Sequence, residues 1–210
     1  MKKRYLIGLG LLILVLAAGC SLSLPFNSVT PTPTAIPGWE KFSGGGVELW
    51  LPERYSGGDP QSDLPATLEE LRNLGAEYSS MADTISRNAD LFDLWVFDTY
   101  TETPGFVTNV NVTRELAPEG YTLDQLMVSM EQQLSSSFNV LGIEKRQLSN
   151  YDTARFDLQL ELPNVTVREI IYVFLEGGNV YALTYGTGID EYEARLADFE
   201  QSAGTLHVVP

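Results

Sequence analysis

Residues 165–188 read "VTVREIIYVFLEGGNVYALTYGTG". The four residues Glu176 to Asn179, "EGGN", are a tight-hairpin signal, because the two-residue turns that join antiparallel strands need positive φ at the first centre or at both, and glycine supplies it. Ahead of the turn, Ile171, Val173 and Leu175 alternate with Ile170, Tyr172 and Phe174, so both faces of that strand are apolar. A strand of this kind has to be covered above and below. Upstream, Thr153 to Leu162 alternates Ala154, Phe156, Leu158 and Leu160 with Arg155, Asp157, Gln159 and Glu161, the pattern of an antiparallel strand with one wet face. Asn139 to Leu148 precedes it across a turn at Asn150 and Tyr151. Together these segments predict an antiparallel meander with layers on both sides.

The earlier chain supplies the rest of the sheet and its cover. Trp39 to Ser43 and Val47 to Leu51 flank Gly44 to Gly46 and read as a hairpin ended by Pro52. Leu91 to Thr99 and Phe106 to Arg114 read as two further strands. In the second, Phe106, Val110 and Val112 oppose Asn109, Asn111 and Thr113. Helical spacing appears in Leu68, Leu71 and Leu74, with Thr67 and Glu70 as a capping box, and in a second piece carrying Tyr78, Met81 and Ile85. It recurs in Leu123, Leu126, Met130 and Leu134, opened by Thr122 and Gln125. A last helix opens at Asp190 with Glu193 as its capping partner and buries Tyr192, Leu196, Phe199 and Ala203. The fold class expected is α+β: a central antiparallel sheet of six to seven strands with helices on both faces.

The first 19 residues have a different character. Lys2, Lys3 and Arg4 precede an apolar run, "YLIGLGLLILVLAAG", of about 15 residues, the anatomy of a secretory signal and too short for a comfortable membrane span. The run ends in small residues followed by Cys20, the one cysteine of the chain. "LAAGC" resembles the bacterial lipobox, with Ala17 in the place where leucine is usual. The resemblance implies cleavage between Gly19 and Cys20, diacylglycerol on the Cys20 thiol, and a protein lipid-anchored on the extracytoplasmic face of a bacterial membrane. Residues 20–37, with Pro25, Pro31, Pro33 and Pro37 and no charge, then form an extended linker that reaches up to roughly 50 Å from Ser21 onward. The boundaries expected are a signal peptide over 1–19, lipidated cysteine and linker over 20–37, and one globular domain over 38–210.

The whole chain carries 13 basic and 28 acidic residues, a net charge of −15, and loss of Lys2, Lys3 and Arg4 takes it to −18. Such a surface repels phosphate, which argues against nucleic-acid partners and against electrostatic docking on anionic lipid. With Cys20 assigned to lipid, no disulfide and no cysteine metal cluster is expected.

The order of elements, with "GVELWLP" at Gly46 to Pro52 and a closing strand and helix running "NVYALTYGTGIDEYEARLADFEQSAGTL", resembles the PsbP-like fold. That superfamily takes in the extrinsic photosystem II subunits, bacterial lipoproteins of the LpqN and DcrB type, and a eukaryotic nuclear-import factor. The resemblance spans about 38–209 and implies an accessory or interaction role rather than catalysis, since its members act mostly as assembly modules.

The residues offer little chemistry. His207 is the single histidine, no G-x-S-x-G elbow is present, and a lone histidine cannot make H-E-x-x-H, so no catalytic, cofactor or metal residue is assigned. Asp93 and Asp98 are the acids nearest to a glycosidase pair. Asp59 and Asp63 lack the spacing of a calcium loop, and in "YGTGIDE" Glu191 occupies the third glycine position of a dinucleotide loop. The leading expectation is a noncatalytic module of the cell envelope that docks a protein partner through a sheet edge or the aromatic loop around Trp50 and Tyr55. The alternatives are a carboxylate-dependent envelope hydrolase and a carrier that holds an apolar ligand between sheet and helices.

Overall fold

The computed structural model describes residues 35–100 and 102–209. Cys20, the cleavage point at Gly19 and all of the linker before residue 35 lie outside the described residues. Seven strands form the main sheet in the order β3-β4-β5-β9-β8-β7-β6, every neighbouring pair antiparallel. They are β3 (Tyr55–Gly58), β4 (Leu94–Asp98), β5 (Asn109–Leu116), β6 (Asn139–Leu148), β7 (Tyr151–Glu161), β8 (Thr166–Glu176) and β9 (Asn179–Gly188). A three-stranded sheet, ordered β1-β2-β10, is built by β1 (Trp39–Gly44), β2 (Val47–Pro52) and β10 (His207–Val208). The helices are α1 (Leu64–Asn73), α2 (Ser79–Arg87), α3 (Leu123–Leu134) and α4 (Ile189–Ala203). The α+β class, the seven strands and the helices on both faces agree with the sequence pattern.

The doubly apolar strand β8 lies between β9 and β7, with cover on each side. Ile170, Tyr172 and Phe174 face a core made with Leu49 and Leu51 of the small sheet and Phe199 of α4. Ile171 and Val173 face the other way, onto Leu126, Met130 and Leu134 of α3. On that second face α1 and α2 build a separate cluster with Trp95, Phe97, Phe106 and Val167. The turn at Gly177 (φ 56°) and Gly178 (φ 78°) has both centres in the left-handed region, which a Cβ disfavours.

Several boundaries differ from the sequence pattern for local reasons. α1 starts at Leu64, after Asp63, whose side chain makes no cap, because Pro65 fits a first turn whose N–H groups have no helical acceptor. Thr67 is therefore inside the helix, and its hydroxyl donates to the Asp63 carbonyl at 3.0 Å. α4 starts at Ile189 after Gly188, so Asp190 is in the first turn and Glu193 is not a capping partner. Phe106 precedes β5 and packs with Trp95 and Phe97, not beside Val110 and Val112. On β7 the wet face is only partly wet: Arg155 is buried against Glu144, Asp157 and Glu200. By contrast α3 keeps its capping box, with the Gln125 amide N–H donating to Thr122 Oγ1 at 3.3 Å and the Thr122 N–H to Gln125 Oε1 at 2.9 Å.

Candidate functional site: a cleft on the sheet

The interior charges fall into those that join elements and those that do not. Asp98, at 0% exposure, ends β4 and accepts from Arg54 Nε at 2.7 Å, from the Tyr100 N–H at 2.8 Å and from Arg195 Nη1. Arg195 on α4 also donates to Glu191 at 2.6 Å and to the Tyr100 carbonyl at 2.7 Å. Glu191 in turn accepts from the Thr103 hydroxyl at 2.5 Å and the Glu102 N–H at 3.0 Å. Burial opposes the Glu191 charge, but Thr103, Arg195 and the Glu102 amide outweigh it and hold the carboxyl below the usual glutamate range. These groups satisfy one another and fasten α4 to β4 and to the loop after it.

Glu169 is a different case. It sits on β8 in the row Phe97, Asn109, Gly186, Glu169, Leu158 that crosses five strands. Its exposure is 8%, no side chain among the described residues pairs with it, and burial alone pushes its carboxyl up to about 8. The carboxyl faces a cleft between the α1–α2 layer and α3, with a volume of about 140 Å³. Its walls are Phe92, Trp95, Phe106, Leu134, Phe138 and Leu160, and Asn109, Asn111 and Thr184 add amides and a hydroxyl to the floor. The cleft exists because α2 and α3 each cover only part of the sheet face. Gly186 lets Phe106, Asn109 and Glu169 close over the sheet beside the cleft: a Cβ there would lie 3.4 Å from Phe106 Cζ, 3.6 Å from Asn109 Nδ2 and 3.7 Å from Glu169 Cγ.

No family profile and no curated protein sequence matches this chain. Solved structures do. Cyanobacterial PsbP (CyanoP) from Synechocystis sp. PCC 6803 aligns with a TM-score of 0.52 at 15% identity, over 83% of this chain and 94% of that one. The fold is PsbP-like. LpqN, involved in cell envelope biogenesis of Mycobacterium tuberculosis, aligns with a TM-score of 0.50 at 11% identity, over 78% of this chain and 83% of that one.

Against the PsbP-like frame the residues singled out in the sequence separate clearly. Trp50 is half-buried on the outer side of β2, and its indole N–H has no partner among the described residues. Tyr55 does not line an exposed loop: its ring is 4% exposed within the α4-side core, and burial raises its hydroxyl far above the usual tyrosine range. The reason is that β3 is an edge strand tucked under the small sheet rather than a projecting turn. Asp93 and Asp98 stand at opposite ends of β4, about 17 Å apart along the strand, beyond the separation of a glycosidase pair. Asp93 pairs with Arg114 at 3.1 Å, and burial raises its carboxyl, against Arg114 and with a small contribution from Asp59. Asp59 and Asp63 bind their own loop, accepting from the Gln61 and Asp59 N–H groups at 2.8 and 3.2 Å. His207 pairs with Glu48 in the ladder of β10 on β2.

Glu169 was not singled out by pattern. The signal was available: it is an acid in the odd-numbered series Val167, Glu169, Ile171, Val173, which is otherwise apolar. Among the described residues no three His, Cys, Asp or Glu side chains converge as a metal-holding group, and no helix is long and apolar enough to cross a membrane.

Proposed function

We propose that this chain is an extracytoplasmic accessory protein of a bacterial envelope, anchored through lipid on Cys20 and residues 20–37, that works by holding a ligand rather than by catalysing a reaction. The observation that carries the reading is the cleft, with apolar walls, a few amide and hydroxyl groups, and one buried carboxyl. The similarity in fold to a mycobacterial protein involved in cell envelope biogenesis supports the location. Docking through the sheet edge has less support, because β6 presents Glu144, Lys145, Arg146 and Gln147, and charge along an edge discourages strand addition. Docking through Tyr55 is opposed by its burial.

Metabolic labelling in a bacterial host tests the anchoring. Radiolabelled palmitate is expected to enter the parent chain and not a Cys20→Ala variant, and the variant is expected to leave the membrane fraction. Label in the variant, or none in the parent, removes the lipid anchor. Crosslinking in intact cells followed by mass spectrometry tests the accessory role, with neighbours expected among envelope proteins.

A further inference from the structure

We propose that the cleft on the sheet binds a small organic ammonium ion, with the charged nitrogen on Glu169 and an apolar body about the size of one benzene ring against Trp95, Phe106 and Phe138. The proposal rests on the ligand-binding reading above and names the ligand's chemistry.

The argument begins with the cost of the carboxyl. An acid buried without a partner is destabilising, and an apolar residue in the same place would not be. Glu169 has no cation to answer it. Arg168, next to it on β8, points to the opposite face and stacks over the Tyr192 ring at 4.1 Å. Arg114, which lines the cleft from β5, is held by Asp93 and lies 6.0 Å from the Tyr181 ring. From β9 the facing residue is Gly186, and from β7 it is Leu158. The helical layers offer Met81, Leu134 and Phe138, and the remaining charges at the cleft are Asp90 and Glu115, both negative. Asp90 at the mouth of the cleft and the net charge of −15 both favour a cation.

Shape and surface narrow the class. A cavity of about 150 Å³ lined by aliphatic and aromatic side chains accepts benzene, and this cleft measures about 140 Å³. Aromatic rings beside a carboxylate suit an ammonium group, since the π-face attracts a cation while the carboxylate takes its N–H donors. The Asn109 amide and the Thr184 hydroxyl supply further acceptors on the same floor. An anionic ligand would meet an unpaired acid, and a purely apolar one would leave that acid unanswered.

Isothermal titration calorimetry tests this on the full chain carried in phosphatidylcholine nanodiscs, with empty nanodiscs as the blank. The probes are 2-phenylethylammonium, 2-phenylethanol and 3-phenylpropionate, which share a ring and differ in charge. At pH 8 the ammonium is expected to bind saturably and at least tenfold more tightly than the alcohol, and the carboxylate not to bind. Below about pH 8 the ammonium affinity is expected to fall about tenfold per pH unit, because Glu169 must release a proton to accept the cation. Glu169→Gln, which keeps the shape and removes the charge, is expected to erase the preference for ammonium over alcohol. Equal binding of ammonium and alcohol to the parent, or an unchanged preference in Glu169→Gln, overturns the ammonium proposal while leaving the cleft a binding site. Failure of all three probes to bind overturns both.

Discussion

Glu169 shows how a single side chain sets a pH dependence for the whole fold. Its carboxyl titrates near 8 in the folded chain and near 4.5 in an unfolded one. Between those values the unfolded chain releases a proton that the folded chain keeps, so stability falls as pH rises through that window and levels off above it. The gap corresponds to a loss of about 5 kcal/mol at most. Glu169→Gln is therefore expected to unfold like the parent at pH 4.5 and to be several kcal/mol more stable at pH 8.5, as read by denaturant titration. Equal stabilities at pH 8.5 would show that the carboxyl has a partner. Asp98 is the opposite case, a buried acid whose partners are all present. Asp98→Ala is expected to cost about 3 kcal/mol, because Arg195 Nη1, Arg54 Nε and the Tyr100 N–H lose their acceptor while Glu191 still answers the Arg195 charge. The sequence pattern hides both roles, since a single acid in a strand looks the same whether it is solvated, paired or alone. Only the tertiary neighbours, Gly186 across the sheet for one and Arg195 on α4 for the other, tell them apart.

At the level of elements, legibility followed how local the deciding interaction was. The capping box of α3 is closed between Thr122 and Gln125, three residues apart, and its start was readable. Thr122→Ala is expected to lower stability by about 1 kcal/mol in thermal or chemical unfolding. The hairpin of β8 and β9 and the strand β6 were readable for the same reason, since alternation and paired glycines are short-range signals. α4 has Gly188 as its N-cap, two residues ahead of the expected Asp190, and Glu191 in its first turn bonds inward to Arg195 and Thr103, a long-range contact that no local pattern announces. That bond has its own pH signature. Glu191 has a carboxyl held below the usual range, so its contribution is present above about pH 4.5 and is lost as pH falls through the lowered value. Hydrogen exchange is expected to show residues 102–108 and the first turn of α4 opening together below that pH, while α3 stays protected. The pairing of β10 with β2 and the burial of Tyr55 were not legible, because both depend on contacts between distant parts of the chain.

For the whole molecule, charge is the dominant property. With 28 acidic against 13 basic residues, the folded chain repels itself, and screening relieves that repulsion. Raising sodium chloride from about 10 to 300 mM, which shortens the screening length from about 30 Å to less than 10 Å, is expected to raise the melting temperature by a few degrees. A protein held by its surface ion pairs would show the reverse. The division into a large and a small sheet also has a mechanical meaning. β1 is an edge strand of the small sheet, joined to β2 by a ladder running from Trp39 opposite Pro52 to Gly44 opposite Val47. A load applied through the residues ahead of Trp39 meets that ladder at its open end and separates it one bonded pair at a time. β1 also packs on β3 and β4, with Gly44 against the Asp93 carbonyl, so tension on the leading segment passes first to the β3–β4 edge of the seven-stranded sheet and last to β6 at the far edge.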